Sequence, residues 1–221
     1  MAATHFQPAL FRFLKELRKN NDRDWFHANK ARFEQEVRDP MLGFITALKP
    51  RLARLSPHFV VDPRPIGGSL FRMHRDVRFS PDKSPYKTHV AAQFPHARCE
   101  GSAPGFYLRL EPGESLAGAG VWHPEAEVLG QVRAAIVSAP NDWKRATRGL
   151  ALDGEALKRA PKGFDPAHPL IEDLKRKDFI TGAKYEESEI CAADFLDRFV
   201  DGCRSYAPLV RFLCGALDLP F

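Results

Sequence analysis

The chain has 221 residues, of which 44% are hydrophobic and 28% are charged, a balance typical of a globular protein. Much of its net charge of +5 sits in one segment, whereas duplex nucleic acid usually binds a broad basic stripe, so nucleic acid is a disfavoured partner. No stretch approaches the ~18–20 apolar residues of a membrane-spanning helix, and the N-terminus lacks the apolar run of a signal peptide. These features predict a cytoplasmic protein outside the membrane and leave its oligomeric state open.

The N-terminal part shows helical periodicity. Apolar residues at i, i+3, i+4 and i+7 spacing predict a first helix over residues 8–19. Asp22 is suited to cap a second helix over residues 23–38, and Asp39-Pro40 has the form of a cap and first-turn proline that begin a third helix. Pro50 is expected to kink or interrupt this third helix, because its ring removes a backbone hydrogen bond.

The middle of the chain has the pattern of a sheet. Proline and glycine punctuate it from about residue 57, and short runs with alternating apolar residues follow. Pro112 and Gly113 form a strong turn signal, which predicts a hairpin between the last two runs. The predicted strands cover residues 68–74, 89–95, 105–111 and 116–122.

Helical spacing returns in the C-terminal part. A helix is predicted over residues 125–138, and a shorter one over 141–148 with Asn141 as its cap. A last helical region is predicted over about 190–217, with a break near Pro208.

The order of these elements predicts the fold class. Residues 150–187 have a mixed pattern to which no element is assigned. The strands cluster mid-chain, with helices before and after them. This order predicts a single α+β domain over residues 1–221, with a mainly antiparallel mid-chain sheet flanked by N-terminal and C-terminal helices.

The four cysteines carry no signature of a disulfide or a metal site. None belongs to a C-x-x-C pair, and no cluster of histidine and cysteine has zinc spacing. The sequence therefore predicts no disulfide and no metal, and the apolar helical pattern around Cys203 and Cys214 predicts buried thiols there. The other two cysteines are Cys99 and Cys191.

The segment Arg75–Lys87, called the basic turn below, has the most unusual composition. Pro81 and Pro85 stiffen it, and Phe79 and Tyr86 provide rings to bury. Between Phe71 and His89 five basic residues face two aspartates, so three positive charges lack a local carboxylate. The charged residues are Arg72, Arg75, Arg78, Lys83, Lys87, Asp76 and Asp82.

Three functional interpretations of the basic turn remain open. Arginine forks and lysine point charges suit a phosphate or carboxylate, which favours binding of a small anionic ligand. An enzyme acting on such a ligand is an alternative, with Asp76 or a histidine such as His74 as general base. The third interpretation is a salt-bridged structural or protein-interaction clamp. Asp76 lies between two arginines, so we expect it to be largely buried and bonded to an arginine or to backbone N–H groups.

The whole chain resembles the family known as domain of unknown function 2461. This resemblance implies a cytosolic, cofactor-free single domain, and it names no substrate or reaction. The motifs that carry it are Phe13-Leu14-x-x-Leu17, Asn20-Asn21-x-Arg23-x-Trp25-Phe26, Arg75-Asp76-x-Arg78-Phe79-Ser80-x-Asp82-Lys83-x-Pro85-Tyr86-Lys87-Thr88, Gly105-Phe106-Tyr107, Gly120 and Pro161-Lys162-Gly163-Phe164.

The two densest motifs are predicted to meet in one pocket. The helix start at Asn21–Phe26 offers N–H groups that favour an anion, the same ligand type that the basic turn attracts. Arg23 adds a positive charge and Trp25 a flat apolar face. The predicted binding residues for a small anionic, for example phosphorylated, ligand are Arg23, Trp25, Arg75, Arg78, Lys83, Tyr86 and Lys87.

Overall fold

A computed structural model describes residues 4–98 and 101–221 of the protein. Helices lie before and after the first three strands of a five-stranded sheet, as the sequence predicts, and the other two strands follow later in the chain. The helices are α1 Pro8–Lys19, α2 Arg23–Ala28, α3 Lys30–Phe33, α4 Asp39–Leu55, α5 Ala126–Ser138, α6 Pro140–Ala146, α7 Ile171–Leu174, α8 Glu187–Ile190 and α9 Phe195–Ala216, and the strands are β1 Val90–Pro95, β2 Gly105–Leu110, β3 Leu116–Val121, β4 Leu152–Asp153 and β5 Phe179–Lys184.

The first helix is confirmed with the predicted bounds. Its apolar stripe is completely buried, and Pro8 occupies the first turn, where a missing N–H costs nothing. The backbone N–H of Asn20 bonds back to the last turn and ends the helix. The end of α1 therefore has a fixed position, and this end contributes to the site described below.

The predicted second helix is broken into shorter pieces. Asp22 caps it as expected, because its side chain accepts a hydrogen bond of 2.8 Å from the Trp25 N–H. The helix stops at Asn29, whose side chain donates to the Trp25 carbonyl at 2.9 Å and so competes with the helical pattern. A π-helical turn at Glu34–Arg38 then leads directly into α4.

The two internal prolines do not end their helices. Pro50 lies within α4 and Pro208 within α9, and both helices continue past them. The break predicted near Pro208 is therefore wrong, and Pro50 does not interrupt its helix. Buried neighbours explain this, because Leu52 and Leu209 are almost fully enclosed and their packing outweighs the lost hydrogen bond.

The sheet is antiparallel throughout, with strand order β1-β2-β3-β5-β4. The predicted hairpin is confirmed as the β2–β3 pair. The predicted strand over residues 68–74 is wrong, since that segment forms only single bridges, Leu70 to Ala92 and His74 to Tyr86. The alternation of apolar and polar residues in this segment allows it to lie along the edge of β1. Pairing does not continue, because the chain turns away from the sheet into the basic turn.

Sequence analysis missed β4 and β5, which lie in the mixed stretch. β5 pairs along the whole length of β3, and a glycine meets a glycine where Gly118 opposes Gly182. The sequence of β5 is short, contains Gly182 and follows a charged run, so its local strand signal is weak. Pairing with β3 supplies the stability that local propensity does not.

The last predicted helical region, residues 190–217, corresponds to α9. The short helix α8 ends where that region was predicted to begin and, like α7, was not predicted. The short helix predicted at 141–148 begins instead at Pro140, with Ala139 as its N-cap and no capping side chain, so Asn141 is not the cap. Nowhere in residues 4–98 and 101–221 is a helix both long and apolar enough to cross a membrane. Cys191 and Cys203 are free thiols, whereas the prediction for Cys99 lies outside the described residues.

The architecture is α+β, as predicted. Alternate residues of β2 and β3 are buried in the core. The intervening residues of β2, Tyr107 and Arg109, lie on the opposite face and are only half-buried. Glu111 extends this second row, so the end of β2 nearest the basic turn carries polar side chains.

Candidate functional site

Two hydrogen bonds join the start of α2 to the end of the basic turn. The Asn21 side chain donates to the Tyr86 carbonyl at 2.9 Å and accepts from the Tyr86 N–H at 3.0 Å. The Tyr86 ring also stacks on Phe26, with ring centroids 4.0 Å apart and planes inclined by 18°. The predicted adjacency of Asn21–Phe26 and the basic turn is therefore confirmed.

The basic turn is held in shape by its own charged groups. Arg75 forms an ion pair with Asp82 and donates to the Ser84 carbonyl at 3.3 Å. The Ser84 hydroxyl and N–H both bond to Asp82, and together with Arg75 they hold the pKa of that carboxyl well below its usual range. Lys83 donates to the Val77 carbonyl at 3.0 Å. Part of the turn's charge is thus already neutralised internally.

Asp76 is exposed, so the prediction of a buried carboxylate is wrong. Its side chain is 47% exposed and its partner Arg78 is 77% exposed. The predicted arginine partner is present, because Arg78 donates to Asp76 at 2.7 Å. This hydrogen bond, followed by one from the Arg78 N–H, lowers the pKa of Asp76 below its ordinary value. The physical reason for the exposure is that the turn projects into solvent between Met73 and its return at Tyr86.

An open cleft of about 560 Å³ lies between the end of α1 and the basic turn. Its lining combines cations, hydroxyl groups and one buried ring. The residues are Arg18, Asn21, Arg75, Asp76, Asp82, Ser84, Tyr86, Lys87, Thr88 and His89.

Lys87 differs from the other cations of the cleft. Arg75 is paired with Asp82, and Arg18 donates to Glu111 at 3.0 Å. The Lys87 ammonium forms no hydrogen bond or ion pair with any residue in the described part of the chain, and lies 5.1 Å from the centroid of the Phe71 ring. Burial, and to a smaller extent the charge of Arg72, lowers the pKa of Lys87 below its ordinary value.

A buried carboxylate lies behind the cleft. Glu111 is 6% exposed and accepts from Arg18 at 3.0 Å, from the Thr88 hydroxyl at 3.1 Å and from Arg109. His89 lies 3.7 Å from the same carboxylate. Burial first, and then the charge of Arg109, lowers the pKa of His89 to about 4, so this imidazole is neutral near pH 7. Glu111 therefore orients the basic and hydroxyl groups at the back of the cleft.

Arg109 leaves one polar atom without a partner. Its terminal nitrogen pairs with Glu111, but its Nε is buried and bonds to none of the residues described in the structure. Such atoms usually find a partner in a folded protein. The cluster at the end of β2 is thus not completely satisfied by the chain itself.

Some residues of the cleft were predicted from the sequence, and others were not. Arg75, Tyr86 and Lys87 line the cleft as predicted, and Asp76 lies at its margin. Arg18, His89 and Glu111 were missed, although the alternation of Tyr107, Arg109 and Glu111 along β2 was an available signal. The predicted residues that lie outside the cleft are Arg23, which is exposed, Trp25, which packs on Phe13, Arg78, Lys83, and the candidate base His74, which packs on the Tyr86 ring.

The described residues contain no group of three or more histidine, cysteine, aspartate or glutamate side chains arranged to hold a metal ion. The groups that the cleft presents to a ligand are its cations, its hydroxyl groups and the neutral imidazole of His89. Preorganised groups of this kind can hold an anion and fix its orientation.

The fold and the cleft together define an α+β protein with an open, basic, side-chain-lined site between a helix end and a charged turn. Residues 9–212 match the family described as "Conserved hypothetical protein (DUF2461)", and the chain belongs to this family. Searches of curated proteins and of solved structures find no match.

Proposed function

We propose that the protein binds a small anionic ligand in the cleft between α1 and the basic turn. One observation carries this proposal: the Lys87 ammonium lies on the wall of the cleft without a carboxylate partner in the described structure. Placing a cation in a half-buried position without a counterion costs free energy. A bound phosphate or carboxylate removes that cost and gains a charge-assisted hydrogen bond.

The other groups of the cleft fit the same ligand. Arg75 and Arg18 lie on the cleft and retain donor groups beyond those used by Asp82 and Glu111. Both polar atoms of the Asn21 amide bond to the Tyr86 backbone, so Asn21 positions the wall of the cleft. A volume of about 560 Å³ lies within the usual range of ~300–1,000 Å³ for small-molecule sites. A localised cleft of this size favours a small molecule over nucleic acid.

The same site could belong to an enzyme, but Asp76 is a weak candidate for its base. Arg78 donates to both carboxylate oxygens of Asp76, and the lowered pKa leaves little tendency to take up a proton near pH 7. His74 packs on the Tyr86 ring outside the cleft. We therefore propose binding as the function, and we place it in the cytoplasm, where thiols such as Cys203 stay reduced.

The structural-clamp interpretation has an observation of its own. The ion pairs of Arg75 with Asp82 and of Arg78 with Asp76 tie the basic turn together without a ligand. If the basic turn were only a structural clamp, replacement of Lys87 would change neither anion binding nor the free energy of unfolding. This difference separates a clamp from a binding site.

The test is a calorimetric titration with inorganic phosphate, and a thermal-shift screen of phosphorylated and carboxylated metabolites. The wild-type protein is expected to bind, and Lys87→Met is expected to weaken binding about tenfold or more. Lys83→Met is the matched control, since Lys83 is in the same turn but bonds to a carbonyl outside the cleft. Equal affinity of Lys87→Met and wild type, or no binding of any anion, would contradict the proposal.

A further inference from the structure

We propose that Lys87 forms an imine with a ligand that carries both an anionic group and a carbonyl group, such as a 2-oxo acid or a phosphorylated aldehyde. This inference rests on the proposed function, because the anionic group has to be held in the cleft before the amine can react. It extends that function from binding to a covalent step at a named atom, Nζ of Lys87.

The surroundings of Lys87 are those of an activated amine. A lysine becomes nucleophilic when it is desolvated or placed beside another cation, because both conditions favour the neutral amine. Lys87 meets both conditions, because burial first, and then the charge of Arg72, lowers its pKa. The Phe71 ring, 5.1 Å away, opposes this only weakly by its attraction for the ammonium. The neighbouring His89 is neutral near pH 7 and adds no charge of its own.

Three lysines of the described residues are half-buried, Lys87, Lys175 and Lys177, and of these Lys87 alone has no carboxylate partner. Lys15 pairs with Glu187, Lys175 with Glu172 and Lys177 with Glu155, and each carboxylate favours the charged ammonium. Lys83 donates to a backbone carbonyl. Lys87 lines the cleft, and none of the described residues accepts a hydrogen bond from its ammonium group. The same geometry that leaves it without a counterion leaves its nitrogen accessible to a ligand.

The cleft also supplies the means to orient such a ligand. Arg75 and Arg18 line the cleft with Lys87, so an anionic group can bond to a guanidinium while the carbonyl carbon faces Nζ. Arginine cannot lose its proton near pH 7, which keeps the two roles separate. The ligand class follows from this division: one negative group for the arginine and one carbonyl for the lysine.

The reaction needs no oxidant or reductant. The lone pair of the neutral Lys87 amine attacks the carbonyl carbon, a C–N bond forms, and the carbonyl oxygen takes up a proton to give a carbinolamine. The nitrogen loses one proton, the hydroxyl takes up a second proton, the C–O bond breaks and water leaves. The iminium nitrogen then loses its remaining proton. The product is an imine between Lys87 and the ligand, and water reverses the reaction.

The test uses pyridoxal phosphate and pyridoxal, two aldehydes with and without a phosphate group. Because pyridoxal closes partly to a hemiacetal, the label on Lys87 is always taken relative to the other lysines of the same sample. The full chain is incubated with each probe, treated with borohydride to convert the imine to a stable secondary amine, and mapped by peptide mass spectrometry. Lys87 is expected to be labelled by pyridoxal phosphate about tenfold or more above any other lysine and above its labelling by pyridoxal. Inorganic phosphate should suppress the label.

Two variants complete the design. Lys87→Arg is expected to lose the adduct, and Lys83→Arg, which alters a lysine of the same turn outside the cleft, is expected to keep it. Melting curves of both variants establish that they are folded. If Lys87→Arg does not fold, the comparison of the two aldehydes on the wild-type chain decides alone.

The outcomes separate this inference from the proposed function. Phosphate binding by calorimetry with selective labelling of Lys87 supports both. Phosphate binding without preferential labelling of Lys87 overturns the imine and leaves the binding function standing. Equal labelling by the two aldehydes together with no phosphate binding overturns both.

Discussion

Asn21 and Tyr86, which are 65 positions apart, hold each other by a reciprocal pair of hydrogen bonds. The amide of Asn21 satisfies both the N–H and the carbonyl of Tyr86, at 3.0 Å and 2.9 Å. The Tyr86 ring is 2% exposed and stacks on Phe26. These contacts fix the position of Tyr86, where the basic turn returns to α1 and α2. They therefore hold the two sides of the cleft in place.

Asn21→Ala is expected to destabilise the protein and to weaken the cleft. Two backbone groups of Tyr86 lose their partners in a partly buried place, and such a loss costs ~1–3 kcal/mol. Urea unfolding measures the free energy, and a phosphate titration measures the site. Asn20→Ala is the control, since the Asn20 side chain donates only to the Glu16 carbonyl at the exposed end of α1. Equal losses of stability for the two variants would contradict the role assigned to Asn21.

Glu111→Gln is expected to cost about 2–4 kcal/mol of unfolding free energy. Removal of one member of a fully buried ion pair costs ~3–5 kcal/mol, and the partial exposure of Arg18 and Arg109 reduces this. The measurement is urea unfolding, with Glu114→Gln as control because Glu114 is exposed in the same hairpin loop. If the two variants lose the same stability, Glu111 does not organise the cluster.

The lowered pKa of His89 predicts how the free energy of unfolding depends on pH. That pKa is about 4 in the folded protein against an ordinary value of 6.5, so as the pH falls the unfolded chain takes up the proton first. The contribution of neutral His89 is therefore complete above about pH 6.5 and is lost as the pH falls toward 4. Wild type is expected to lose more stability than His89→Gln between about pH 7 and about pH 5. An NMR titration that finds an ordinary pKa for His89 would refute this prediction.

Asp76→Ala is expected to leave the melting temperature unchanged within experimental error. Asp76 and Arg78 are both largely in solvent, and ion pairs of this kind contribute little to stability. The measurement is a melting curve, beside that of Asp82→Ala, which removes the acceptor of Arg75 and Ser84 and should lower the melting temperature. A larger decrease for Asp76→Ala would mean that the exposed pair of Asp76 with Arg78 contributes to stability after all.

The sequence by itself determined those features whose causes are local. The stripe on α1, the cap at Asp22 and the β2–β3 hairpin each depend on residues within a few positions of one another. The concentration of charge in the basic turn is equally local, so its position along the chain could be predicted, together with Arg75, Tyr86 and Lys87 as residues of the cleft.

Only the tertiary structure decided which charges are paired and which are not. β5 forms because β3 lies beside it, and α9 passes Pro208 because its neighbours are buried. Asp76 proved exposed and Glu111 buried, although both are acidic residues beside arginines, because burial depends on what folds over a segment. Lys87 has no partner among the described residues, because the carboxylates near the cleft bond to other cations: Asp82 to Arg75 within the turn, and Glu111 to Arg18, which is 93 positions away. Only folding brings Glu111 and Arg18 together.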